Sequence, residues 1–417
     1  MASLSEIGKS IDKAGRLSAI ALGFSIPVSV ALDNLLLAVV LFCYLAGGRH
    51  REKMAAIAAN PVAVAALALF GIIALAAFYG PATASDAARY LLKYVDLLCV
   101  PIIAAFFTDP RTRKLGLYAL GSSIAVTVVL SYTLHFGLLP RSPLFVQDSV
   151  YPVVFKQNLT HSVLVVLGAF LFALFAAKSE SSSKRAIWLM LAALATANVL
   201  FLVPGRSAYV VFGALLLYTG FAWQRWKGLL GVIALAALAS TVVYNTSEPF
   251  QRHISLAVQQ YSSYDPSVAA KETNSVGTRL ELYRNSLAIV RDHPVAGVGT
   301  GGFPKAYADQ VKGTGMSLAQ NPHNEYLLIA VQTGALGLAL FVHLFWRQWR
   351  LAPQLATSEE LHLARGLVIA IAVGSLFNSF LLDHTEGLLY AWLTGLLFAG
   401  LKSDMGTKRA EQVSRAD

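Results

Sequence analysis

His323 lies in the stretch Asn321-Pro322-His323-Asn324-Glu325-Tyr326, just before an apolar run opens at Leu327. An imidazole there can take a proton from a sugar hydroxyl near neutral pH, a role worth roughly 10²–10⁴ in rate. A lone histidine at such a boundary also suits a cap or an interface, and Asn324 and Glu325 suit a helix cap and a first-turn carboxylate. Arg206 follows Val203-Pro204-Gly205 at the head of another apolar run, where a cation faces the positive end of the helix dipole. A phosphate held between the guanidinium and the first-turn N–H groups would reverse that unfavourable sign. Snorkelling to lipid headgroups is the alternative, and the residue type alone does not separate the two. Arg279, after Thr278, would add the second cation that a diphosphate needs; read by itself it is a solvated helix charge.

Other polar groups stand at similar boundaries. Asp383, His384 and Glu386 crowd one short segment, where Asp383 could orient His323 or form part of a polar turn. Tyr151, Lys156, Gln157, Asn158 and His161 precede the run at 159–177 and suit hydrogen bonding to sugars, or a wet interface. Gly297, Gly299 and Gly302 match the dinucleotide fingerprint, but no strand pattern precedes them. Gly8-Lys9-Ser10 lacks the first glycine of a phosphate-binding loop, with Ser3 in its place. Neither nucleotide nor nucleic acid is expected as a partner. Cys43 and Cys99 both fall in apolar runs, and no histidine pair has helical spacing, so no metal, cofactor or disulfide framework is expected.

The elements that must position these residues are membrane helices. Of 417 residues, 56% are hydrophobic and 13% charged, which excludes an ordinary soluble domain. Runs long enough for about 30 Å of hydrocarbon fall near 17–32, 34–47, 61–79, 87–107, 115–137, 159–177, 185–203, 206–224, 228–245, 325–346, 362–382 and 386–401. The expected fold is therefore all-α: a polytopic membrane protein of about 12 transmembrane helices with one large, partly helical loop at 246–324. Its parts are N-terminal spans over 1–245, that loop, three further spans over 325–401 and a polar tail at 402–417. Within the loop, Leu280, Tyr283, Leu287 and Val290 have helical spacing and predict an amphipathic helix over 277–290. Lys93 and Asp96, inside one span, are placed to pair.

Lys and Arg concentrate in alternate loops, including Arg49/Arg51/Lys53, Arg111/Arg113/Lys114 and Arg347/Arg350. The positive-inside rule then puts both termini in the cytoplasm and the 246–324 loop outside. The net charge of +10 thus reflects membrane topology and not a nucleic-acid surface.

The motifs resemble those of the O-antigen ligase family, within a superfamily shared with O-antigen polymerases and bacterial protein O-oligosaccharyltransferases. The resemblance rests on Arg279-Leu280, on His293-Pro294-Val295-Ala296-Gly297-Val298-Gly299, and on His323-Asn324-Glu325-Tyr326-Leu327 followed by Gln332-Thr333-Gly334-Ala335-Leu336-Gly337. Gly205-Arg206-Ser207 matches the family's arginine after a short outer loop. It covers about 275–345 most strongly. It implies a metal-independent, inverting glycosyltransferase of the bacterial inner membrane with a periplasmic site. Such an enzyme moves O-antigen glycan from undecaprenyl diphosphate to a hydroxyl of lipid A-core. On that reading Arg206 and Arg279 hold the diphosphate and His323 activates or orients the acceptor, supported by Asn324, Glu325, Tyr283, Gln157, Asn158 and Asp383. The alternatives are a polymerase or protein-directed transferase of the same superfamily, and, from another class, a secondary transporter.

Overall fold

The computed structural model describes residues 4–140, 142, 145–146, 148, 150–262 and 275–401. The tail expected at 402–417 lies outside the described residues, as does 263–274 of the large loop. Every regular element described is helical. α1 (Leu4–Ser25) and α2 (Val30–Ala46) pack side by side, and the break between them falls at 26–29, earlier than the residue pattern suggests. Ser29 sets that break by capping α2, accepting from the N–H of Leu32. α2 then turns by 112° into α3 (His50–Ala59), through Arg49 in a left-handed conformation. α4 (Pro61–Ala76) starts under an Asn60 cap with Pro61 in its first turn.

The stretch expected as one span at 87–107 is two helices, α5 (Ala84–Lys93) and α6 (Asp96–Phe106). The break lets the Tyr94 hydroxyl reach Glu325 at 2.7 Å and leaves Asp96 4.0 Å from His384. The expected Lys93–Asp96 pair does not form; Lys93 lies over the Tyr90 ring. α7 (Pro110–His135), α8 (Asn158–Lys178) and α9 (Ser182–Ala197) follow, and a π-helical turn at Asn198–Leu202 leads to α10 (Arg206–Thr246). α10 leaves helical geometry at Gln224 and Arg225. A Cβ placed on Gly220 would lie 2.7 Å from the Gly228 carbonyl, whereas eight residues of straight helix would hold the two about 12 Å apart. The chain therefore folds back on itself at the boundary between the runs 206–224 and 228–245.

The remaining helices are α11 (Glu248–Ser262), α12 (Ser275–Asp292), α13 (Phe303–Gln310), α14 (Glu325–Leu351), α15 (Ser358–Gly374) and α16 (His384–Phe398). α16 is apolar all round and buried from Thr385 to Phe398, which makes it the core helix. It packs on α6 and α15, and its Trp392 indole donates to the Ala19 carbonyl at 2.8 Å. α9 and α10 do the opposite and expose Ile187, Leu189, Met190, Leu230, Leu235 and Leu238. Apolar surface on that scale fits contact with lipid. Five described helices are long and apolar enough to cross a bilayer, or six if α2 and α3 are one bent span. The chain is a multi-pass membrane protein.

α12 buries Leu282, Ser286 and Ile289, a different face from the one expected, and Leu287 is exposed. It packs along α14, so the inward stripe is set by that neighbour and not by the 280/283/287/290 spacing.

One break controls the rest of the site. α14 is interrupted at Gly334, at φ 65 and ψ −158. The segment after α12 fills the gap. Val298 and Gly299 donate their N–H groups to the carbonyls of Val331 and Gln332 at 2.7 and 2.9 Å, while Ala335 N–H donates to Pro294 at 2.8 Å. Thr300 anchors the same segment to α4, donating its N–H to Ala76 and its hydroxyl to Ile73 at 2.9 and 2.6 Å. The glycine pattern thus serves close backbone packing: a Cβ on Gly299 would meet the Tyr79 carbonyl at 2.0 Å.

Candidate active site

The N-terminal half of α14 and the loop 375–383 hold His323. Its backbone is left-handed, with φ 50, a conformation costing on the order of 1–2 kcal/mol outside glycine. Two bonds hold it there. The His323 N–H donates to Asn321 Oδ1 at 2.8 Å, and its carbonyl accepts from the Tyr283 hydroxyl at 3.3 Å. Asn324 then caps α14, accepting from the Leu327 N–H at 3.1 Å and donating to the Leu376 carbonyl at 3.1 Å.

The imidazole is exposed, and its Nδ1 lies 3.3 Å from Asn378 Oδ1. Asn378 Nδ2 donates in turn to Asp383 Oδ2 at 2.9 Å. Because an ionised carboxylate only accepts, Asp383 fixes the amide with its oxygen toward the histidine. The histidine must then carry its proton on Nδ1, which leaves the Nε2 lone pair available as a base. Burial raises the Asp383 carboxyl above its ordinary range, opposed by the Asn378 bond and by the charges of Lys93 and His323. A carboxylate joined to the imidazole through an amide stabilises the imidazolium without taking its proton.

Glu325 is fully buried. It accepts from the Tyr94 hydroxyl at 2.7 Å and from the N–H groups of Leu381 and Leu382 at 2.9 and 3.3 Å. Its place is beneath the site, where it ties the loop bearing Asn378 and Asp383 to α14.

Tyr283 links the histidine to the arginines. Its hydroxyl donates to the Leu376 carbonyl at 2.7 Å as well as to His323, and it stands one turn after Arg279 on α12. Burial raises the Tyr283 phenol, and the nearby Arg279 charge opposes that shift. Arg279 is close enough to Arg206 for the two guanidinium charges to repel. Arg206 opens α10 and donates to Gln260 of α11 at 3.5 Å. Two like charges held together at a helix N-terminus form a ready site for a polyanion.

Asn158 adjoins this region: Ser162 donates to the carbonyls of Asn158 and Val203, both at 2.8 Å, which joins the start of α8 to the turn before Arg206. Gln157 is exposed at the same helix start. His161 and Lys156 do not form a wet rim. His161 is buried against Asn198 at 3.1 Å, and buried Lys156 donates to Thr385 at 3.1 Å with Asp33 at 3.9 Å. Arg284 and Arg291 are exposed on α12, and Arg291 faces Asp292 at 3.6 Å.

The structure thus brings Arg206, Arg279, Tyr283, His323 and Asp383 into one series, with Asn158 adjoining and Glu325 beneath. It adds Asn378 and Gln260. Asn378 escapes a reading of the sequence because it falls inside a run long enough to be a span; the pair Asn378-Ser379 so near Asp383 is the signal available there.

Residues 188–342 match the family model described as O-antigen ligase, the superfamily that the motifs resemble. The match encloses Arg206, Arg279, Tyr283 and His323 and stops short of Asn378 and Asp383. An uncharacterised protein of Haemophilus influenzae is 23% identical to this chain over 253 residues, 59% of this chain. The matched stretch spans 61% of that protein's length.

Proposed function

We propose that this protein is an O-antigen ligase, a glycosyltransferase that moves glycan from a lipid diphosphate to a sugar hydroxyl of lipid A-core. The observation that supports it is the juxtaposition of an oriented imidazole with a pair of repelling guanidinium groups, joined through Tyr283 and Arg279 of α12. The acceptor oxygen attacks the anomeric carbon from the face opposite the diphosphate, and configuration inverts. The bond from that carbon to the diphosphate oxygen breaks with its electron pair left on the diphosphate, while the hydroxyl proton passes to His323 Nε2. Arg206 and Arg279 neutralise the leaving group, which removes the need for a metal or a general acid. Undecaprenyl diphosphate is the donor lipid on this reading.

The same reading places the site on the periplasmic face of the bacterial inner membrane, with both termini cytoplasmic. It gives about twelve crossings when α10 counts as two, α5 with α6 as one, and α3 lies along the surface.

The histidine motif also serves a polymerase, which would extend lipid-linked glycan and leave lipid A-core untouched. Purified protein, lipid-diphosphate glycan and lipid A-core, incubated with chelator present, test the proposal. Glycan on lipid A-core supports ligation. Longer lipid-linked glycan with unmodified lipid A-core replaces ligase by polymerase, and uptake into vesicles without transfer replaces both by a transporter.

A further inference from the structure

A cavity of about 870 Å³ opens at the end of the bundle opposite His323. His323 precedes α14, whereas Arg347 and Leu351 at the other end of that helix line the cavity. The unbroken α16 gives the scale: it starts beside Asp383 and ends at Phe398, which lines the cavity, and its 15 residues put about 22 Å, most of the hydrocarbon depth, between the two sites. The proposed transfer therefore makes no use of this cavity.

Its lining divides by chemistry. Ala55, Ala56, Ala59, Ala63, Ala104 and Phe106 form an apolar floor and wall. Arg16, Arg49, Lys53 and Arg347 lie among the lining residues against only two carboxylates, Asp12 and Glu52. Arg49 takes both of those, at 2.7 Å from Asp12 and 4.0 Å from Glu52. Among the described residues, no carboxylate lies within 4.0 Å of Arg16, Lys53 or Arg347. Lys53 donates to the Tyr44 carbonyl, and Arg347 stands over the Trp346 ring.

α3 forms one wall. It leaves α2 at 112°, has no buried residue and contributes Glu52, Lys53, Ala55, Ala56, Ile57 and Ala59 to the lining. A short helix bent that far from a span, with no buried residue, has the geometry to lie along the membrane surface. A cationic set beside an apolar trough at interface depth matches an anionic phospholipid, whose phosphate and acyl chain need both at once.

We propose that this cavity is a binding site for one anionic phospholipid of the leaflet opposite the transfer site. The phosphate meets Arg16, Lys53 and Arg347, and an acyl chain lies along Ala56, Ala59 and Phe106. The lipid then covers apolar surface that α3 leaves open and fixes the angle of α3 against α4.

The test uses the full-length protein in nanodiscs of phosphatidylcholine, with or without one-fifth phosphatidylglycerol. Lipid that stays on the protein after mild detergent extraction is counted by native mass spectrometry. The proposal predicts one retained phosphatidylglycerol, preferred over phosphatidylcholine by about 30–150-fold, as two or three interfacial charge contacts would give. Arg16→Gln with Arg347→Gln should abolish the preference and leave glycan transfer unchanged. Ala56→Trp, which fills the trough without altering charge, should remove the retained lipid altogether. Equal retention of the two lipids by the wild type, or undiminished phosphatidylglycerol in both variants, overturns the proposal. Competition by inorganic phosphate at millimolar concentration, with no lipid retained, would assign the cations to free phosphate instead. Because retention is read by mass, the result stands whether or not transfer is found.

Discussion

Asn378 meets His323 across 55 residues of chain, its Oδ1 3.3 Å from the imidazole Nδ1. The contact is possible because α15 stops at Gly374 and the chain turns back before α16, while Glu325 binds two N–H groups of that turn. The imidazole and the amide that faces it therefore come from different parts of the sequence, joined by a buried carboxylate.

Removing the orienting amide should slow transfer without weakening donor binding. Asn378→Ala is expected to lower kcat by about 10–100-fold, the usual cost of losing the partner that fixes an imidazole, with little change in KM. Asp383→Asn should give a similar loss, and the double variant should lose little more than either single one. Additive losses in the double variant would show that the two residues do not act through one relay.

One acid limb of the pH profile should belong to Asp383. Burial raises its pKa above 3.8, so the protonated form is the one that the folded protein favours. Its contribution to stability is full below that ordinary value and is lost as pH rises through the raised one. Transfer needs the opposite form, because only the carboxylate is restricted to accepting from Asn378 and carries the charge that stabilises an imidazolium. Activity should fall as pH drops through the raised value, and Asp383→Asn should be slow at every pH with that limb absent. An unchanged limb in Asp383→Asn would assign the titration to another group.

The two arginines should oppose folding and favour the donor. Each guanidinium raises the energy of the other while no anion is bound. Arg279→Gln is expected to raise the thermal midpoint of the empty protein by about one degree, since relief of about 1 kcal/mol acts on a large cooperative unit. The same change should abolish the stabilisation that lipid diphosphate gives to the wild type. Loss of both midpoint and donor effect would mark Arg279 as a packing residue.

Two glycines with similar backbones should differ sharply when changed to alanine. Gly299 at φ 87 has a carbonyl oxygen 2.0 Å from its would-be Cβ, whereas Gly313 at φ 78 has nothing within 4 Å. Gly313→Ala should cost only the left-handed penalty of about 1–2 kcal/mol. Gly299→Ala should cost on the order of 3 kcal/mol or more, and little folded protein should be recovered. Size-exclusion yield and thermal midpoint in detergent measure both.

The helical class is legible in the sequence, and His323, Arg206 and Arg279, which the structure brings into one series, draw notice there because charge at the edge of an apolar run is rare. What hydropathy cannot convey is a break within a run. Gly334 and the turn after Gly374 both interrupt stretches that are apolar enough to pass as continuous spans, and those interruptions receive the Gly-rich segment and deliver Asn378. The face of α12 was equally hidden, since its partner α14 decides which side chains turn inward. His161 and Lys156 have the residue types of a sugar-binding rim, but Asn198 and Thr385 supply buried partners from distant segments.

The break at Gly334 also bears on how the chain assembles. The carbonyls of Val331 and Gln332 and the N–H of Ala335 have partners only when residues 294–299 are docked against them. Left alone in hydrocarbon, each such group costs several kcal/mol. The upper half of α14 therefore cannot settle as an independent membrane segment: it becomes stable only after residues 294–299 ahead of it have docked. Synthesis order and assembly order part at this point, and the histidine takes its final place among the last parts of the bundle to form.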